Sequence, residues 1–231
     1  MQQAIHCLIQ VQGSHILTTL PDCAAFSSIE AYTRKPAPFA SPKLNYIHET
    51  DTSKWPTLFP HDAKVFFSAL GTTRGAAGSL AAQRAIDYDL NVALAKAAKE
   101  AGATVYVLIS SGGASSSSVI PYSRMKGELD DAVQALGFEK TIILKPGLLV
   151  GTRQESRPPE FFFRKVAGFL GAVSGDRLKD FWAQDAEVVA RAAVKASLDA
   201  VHGKQTEAVR VLSQSDIVRL GKTEWKDSDL K

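Results

Sequence analysis

The chain has 231 residues, 45% hydrophobic and 22% charged, with net charge +3 and a pI near 8.8, which describes an ordinary globular domain with a substantial core and excludes a disordered chain. Lys and Arg are spread along it with acids interleaved, which excludes the basic stripe of a nucleic-acid-binding domain, and no apolar run approaches the roughly 18 residues that span a bilayer. Cys7 and Cys23 suit a reducing compartment and form no metal-ligand set, and residues 1–33 carry no Lys or Arg, so neither a secretory signal nor an Arg-rich presequence is expected.

Strands are expected at residues 4–9, 28–33, 44–48, 64–70, 104–111, 140–145 and 208–212, in short apolar runs. Helices are expected between them: 14–20, 79–100 with its end at Gly102, Pro121 to about Leu136 before Gly137, and around 186–201. Gly71 to Gly78 reads as a loop, Ser115 to Ser118 as a short flexible one, and Phe161 to Phe163 as ordinary core. Strands alternating with helices predict a doubly wound, mostly parallel α/β sheet in one domain spanning residues 1–231, with a smaller substrate-facing part around 152–185.

In such a sheet ligands gather at the carboxyl ends of the strands, and the candidate residues fall at those ends. Tyr122 and Lys126 follow the strand that ends in Ser110-Ser111. Four residues apart, they share a helical face, so an ammonium can sit beside a phenol and bring its proton transfer toward neutral pH. That is the chemistry of a carbonyl reductase: Tyr122 as proton donor, Lys126 as the charge that lowers the phenol's pKa and holds a nicotinamide ribose, and Ser111, or Ser110 in its place, polarising the carbonyl. Arg34 and Lys35 follow the second strand, about 20 residues after Gly13, where a dinucleotide-binding fold contacts the adenosine ribose. A guanidinium there favours the 2′-phosphate of NADP, whereas an acid would favour NAD; a solvated basic turn before Pro36 is the plain alternative. Leu70-Gly71-Thr72 and Pro146 lie where backbone can approach a cofactor closely. Asp87 and Asn91, one helical turn apart, read either as a buried polar pair or as the wet face of a helix, the second being the reading for Asp87. The five histidines show no metal-ligand spacing.

Asp51-Thr-Ser-Lys-Trp55, Ala69-Leu-Gly-Thr-Thr-Arg-Gly-Ala-Ala-Gly78, Asp87-Tyr-Asp-Leu-Asn91, and Ser110-Ser111 with Tyr122-Ser-Arg-Met-Lys-Gly-Glu128 together resemble the fungal "found in mitochondrial proteome" family. That family is related to the human Tat-interacting oxidoreductase among the atypical short-chain dehydrogenases, and the likeness runs from about Gly13 to about Val201. The resemblance implies a Rossmann-type domain binding NADP(H), with Tyr122 and Lys126 in its Tyr-x-x-x-Lys, and peripheral attachment to the cytosolic face of the mitochondrial outer membrane. A cytoplasmic location is the alternative.

The sequence departs from the family at its start. Aligning Gly13 with the last glycine of Gly-x-x-Gly-x-x-Gly puts Cys7 and Gln10 at the first two, where a side chain would obstruct the pyrophosphate. Either the cofactor site has decayed on a persisting scaffold, or the N-terminal segment is a faulty translation of the gene. Two functions are therefore expected to compete: an NADP(H)-dependent oxidoreductase acting on an unknown carbonyl or alcohol, and a non-catalytic scaffold that binds a partner or membrane surface.

Overall fold

Strands buried on both faces carry apolar residues at successive positions instead of alternating ones, and this pattern sets the architecture. The computed structural model describes residues 5–10, 14–34, 39–150 and 183–226, of which 5–10, 14, 148–150 and 183–184 are described by their backbone alone. In chain order the strands are β1 (Ile5–Gln10), β2 (Phe26–Thr33), β3 (Leu44–His48), β4 (Val65–Ser68), β5 (Val105–Ile109), β6 (Lys140–Leu144), β7 (Leu148–Val150), β8 (Ala183–Asp185) and β9 (Val209–Leu212). Seven of them form one sheet in the order β3-β2-β1-β4-β5-β6-β9, with every pairing parallel. The helices are α1 (Ser14–Thr19), α2 (Arg74–Ala77), α3 (Leu80–Arg84), α4 (Asn91–Glu100), α5 (Pro121–Ala135), α6 (Ala186–Val201) and α7 (Gln214–Val218).

The period-two alternation of side chains divides the core into two layers. Val65, Phe67, Val105, Val107, Ile142 and Leu144 point to the face covered by α1 and α6. Phe66, Tyr106, Leu108 and Ile143 point to the other, packed with Leu94 and Ala98 of α4 and Leu129 and Val133 of α5. Helices on both faces of a parallel sheet make the doubly wound α/β fold that the sequence predicts. The expected elements are found within two residues of their predicted ends, β3 and α6 coinciding with them, but Gly71 to Gly78 is not all loop, because Thr73 caps the short helix α2 within it.

Further features were not anticipated. A two-stranded parallel sheet joins β7 to β8; of the expected substrate-facing part around 152–185 only residues 183–185 are described, and Phe161 to Phe163 lie outside the described residues. Helix α7 opens on a capping box between Ser213 and Asp216. Between α3 and α4 the helix widens into a π-turn, Ala85–Leu90.

Helix α5 is held by a close backbone approach. A Cβ on Gly127 would stand 2.1 Å from both the Ser115 carbonyl carbon and the Ser116 nitrogen. Alanine would gain about 1 kcal/mol of helix propensity there, but the clash is with backbone and cannot be relieved by a rotamer. Gly127→Ala is expected to destabilise the chain by about 2–3 kcal/mol in urea unfolding. An unchanged midpoint would mean that the Ser115–Ser116 backbone does not pack against α5.

Candidate active site

Because every strand of the large sheet runs the same way, their carboxyl ends share one edge, and the predicted residues are distributed along it. Arg34 follows β2 and is exposed; Leu70, Gly71 and Thr72 follow β4; Ser110 and Ser111 follow β5; and Pro146 lies just beyond β6. The order reverses between β1 and β4, the switch point at which doubly wound folds hold a dinucleotide. Gly13 and Lys35 lie outside the described residues.

Strand β1 bears on the altered glycine motif. Cys7 pairs with Ile29 and Val65, and Gln10 with Tyr32 and Ser68, so both residues aligned with the first two glycines are part of the strand. Residues 11–13 are all that separate its end from Ser14, the first residue of α1.

Pro121, with its fixed φ and no N–H, stands in the first turn of α5 and starts the helix. Tyr122 is 41% exposed beside it, while Lys126, one turn on, is 3% exposed. The Lys126 ammonium makes no hydrogen bond or ion pair among the described residues. Its burial lowers its pKa, and the facing carboxylates of Asp87 and Asp130 partly offset that. The structure also separates the two serines. Ser110 is buried and donates to Asp130 Oδ1 at 2.6 Å, while the less buried Ser111 donates to the Gly112 carbonyl at 3.3 Å. Asp130 Oδ2 lies 3.0 Å from Lys145 Nζ, which also donates to the Ala114 carbonyl, so the Ser110 hydroxyl belongs to a structural network.

Asp87 is 1% exposed, which overturns the wet-face reading. In a regular α-helix, Gln83 and Asn91 would be about 80° apart around the axis. The π-turn keeps Gln83, Asp87 and Asn91 buried together on one face. Asn91 accepts from Ser68 and donates to the carbonyls of Ile86 and Asp87 that the turn leaves available. Asp87 Oδ1 accepts the Thr72 N–H at 2.6 Å, and Gln83 Nε2 reaches the Thr72 carbonyl at 3.2 Å. Burial raises the carboxyl pKa of Asp87, and the Thr72 amide, Lys126 and Gln83 oppose the shift. The sequence reading passed over Gln83, Asp130 and Lys145. Gln83 and Asp130 each lie four residues from a residue it singled out, on the same helical face as Asp87 and Lys126.

Residues 41–170 match the protein family described as HIM1. "Protein fmp52-1, mitochondrial" of Aspergillus terreus is 51% identical over 220 residues, covering 91% of this chain and 94% of that protein. "Protein fmp52, mitochondrial" of Aspergillus clavatus is 49% identical over 220 residues, covering 90% and 93%. The chain belongs to the fungal Fmp52 family. Among solved structures, MoeE5 in complex with UDP-glucose and NAD superposes with a TM-score of 0.64 at 16% identity, over 95% of this chain and 81% of that one. A short chain dehydrogenase family protein from Francisella tularensis gives 0.63 at 10% identity, over 92% and 98%. At such identities the likeness shows the fold alone, a Rossmann-type α/β domain.

For this Fmp52 family member the edge divides into two halves in its fit to a dinucleotide. Around α5, the buried Lys126 side chain, which makes no hydrogen bond among the described residues and lies one turn from the exposed Tyr122, suits a ribose and a reacting carbonyl. At β1, the strand continues through Cys7 and Gln10, the positions expected to hold the first two glycines of a dinucleotide-binding turn.

Proposed function

We propose that this Fmp52 family protein is an NADP(H)-dependent oxidoreductase acting on a carbonyl or alcohol. The single observation that carries the reading is Lys126, a buried side chain that makes no hydrogen bond among the described residues, one turn from an exposed Tyr122. A buried lysine that donates to nothing leaves hydrogen-bonding capacity unused, and a bound sugar hydroxyl would take it up. The cofactor would supply or accept the hydride. Tyr122 hands over or takes the proton, Lys126 holds its phenol toward the anionic form, and Ser111 donates to the carbonyl oxygen.

Arg34 would read the 2′-phosphate, together with Lys35, and Leu70, Gly71, Thr72, Gly13 and Pro146 would line the cofactor. Calorimetric titration of the full chain with NADPH and with NADH tests this: micromolar NADPH binding with clear preference over NADH is expected. Arg34→Ala should weaken NADPH by about ten- to a hundredfold, as for a lost charge-assisted contact, and leave NADH nearly unchanged. Equal losses would remove Arg34 from phosphate recognition.

We place the protein in mitochondria, peripherally on the outer membrane and facing the cytosol. The relatives named mitochondrial support this, and no helix among the described residues is long and apolar enough to cross a membrane. Release of the protein by carbonate washing, and its digestion by protease on intact mitochondria, are the expected results; retention or protection would place it elsewhere.

One observation favours a second reading, a scaffold without turnover that binds a partner or membrane surface. Strand β1 runs through Cys7 and Gln10 and leaves only residues 11–13 before α1. No binding of either cofactor at millimolar concentration would favour the scaffold.

A further inference from the structure

We propose that Asp87 is a positioning residue: its buried carboxylate pins the Gly71–Thr72 turn at the end of β4, and its negative charge acts on the Lys126 ammonium. The assignment rests on the cofactor reading, in which that turn and that ammonium meet the same ligand.

The geometry is specific. Thr72 N–H donates to Asp87 Oδ1 at 2.6 Å, the Gln83 amide spans from the Thr72 carbonyl at 3.2 Å to Asp87 Oδ2 at 3.5 Å, and a Cβ added to Gly71 would lie in ordinary contact with both carboxylate oxygens at 3.9 Å. Both polar backbone groups of Thr72 are thus held by one helix face, with Asp87 1% and Gln83 4% exposed. The charged groups that face Lys126 are Asp87, from the π-turn, and Asp130, from its own helix. Asp130 is already engaged by Ser110 and Lys145, whereas Asp87 makes no ion pair among the described residues. The π-turn explains why this is possible, since it keeps Asp87 in line with Asn91, which fixes the end of β4 through Ser68 and the Leu70 carbonyl. A turn inserted into a helix costs hydrogen-bond geometry and is found mostly where a side chain must be re-aimed.

The test is NADPH titration of the full-length wild type, Asp87→Ala and Asp87→Asn, with amide hydrogen exchange at Thr72 and melting temperature measured on the same unliganded samples. Asn keeps an acceptor for the Thr72 N–H and removes the charge, so it separates the two parts of the role and stays usable where Ala does not fold. Expected are Thr72 exchange about tenfold faster or more in Asp87→Ala, NADPH affinity lower by about ten- to a hundredfold, and an intermediate affinity with near-normal Thr72 exchange in Asp87→Asn. Unchanged Thr72 exchange in Asp87→Ala overturns the assignment. So does a fall in melting temperature with NADPH affinity unchanged in both variants, which is what a merely structural carboxylate would give. Failure of the wild type to bind NADPH overturns the cofactor reading and this assignment with it, whereas a binding wild type with equally binding variants overturns the assignment alone.

Discussion

Tyr122→Phe is expected to lower turnover by about 10²- to 10⁴-fold, the usual contribution of a positioned general acid, while NADPH affinity stays within about twofold. The phenol is the group at this edge that combines exposure with a neighbouring buried cation: Tyr122 is 41% exposed and Lys126 3%. An ordinary phenol near pKa 10 hardly ionises at neutral pH, so the proposed role needs a cation near enough to favour its anionic form. Removing one hydroxyl from a partly exposed ring should change stability by less than about 1 kcal/mol, so a catalytic loss cannot be ascribed to unfolding. The measurement is the steady-state rate with NADPH and a panel of small ketones and aldehydes, beside urea unfolding. A variant as active as the parent on any of them would take Tyr122 out of the mechanism. Ser111→Ala distinguishes the serines in the same assay, because Ser110 already spends its hydroxyl on Asp130.

The sheet and the place of the site were legible because both depend on local pattern. The apolar runs that became β4, β5 and β6 are short and bounded by turns, and in a parallel sheet the ends of such runs must share an edge. Tyr122 and Lys126 were found by a four-residue spacing that a regular helix preserves. Asp87 was misread for the complementary reason: the π-turn changes the helical period over Ala85–Leu90, and no sequence pattern marks where that happens. Strands β7 and β8, of three residues each, fall below the length at which alternation can be recognised. Helix α7 was a different kind of omission, because its Ser213-x-x-Asp216 cap is a sequence signature. Asp130 and Lys145 join a helix to the residue after a strand, and such a pairing emerges only from the fold.

Lys126→Met should separate function from stability. Turnover is expected to fall by about 10²- to 10⁴-fold and NADPH affinity by about ten- to a hundredfold, because the ammonium both biases the phenol and meets the cofactor. Stability at pH 7 should nevertheless stay within about 1 kcal/mol of the parent, since burying an ammonium opposes folding and a methionine of similar length fills the space without that cost. The carboxylates left behind are provided for: Asp130 retains Ser110 and Lys145, while Asp87 retains the Thr72 amide and, with its pKa already raised by burial, can take up a proton. The sign of the pH dependence follows from the lowered pKa of Lys126. In the unfolded chain its amine holds a proton up to about its ordinary value of 10.5, and in the folded chain it releases the proton earlier. Between those two values the unfolded state binds more protons, so the parent gains stability as pH rises toward 10.5. The methionine variant lacks that gain, and urea unfolding of both proteins at pH 7 and at alkaline pH reads it directly. Equal slopes would mean that Lys126 is hydrated in the folded chain, and a variant with undiminished turnover would remove the ammonium from the chemistry altogether.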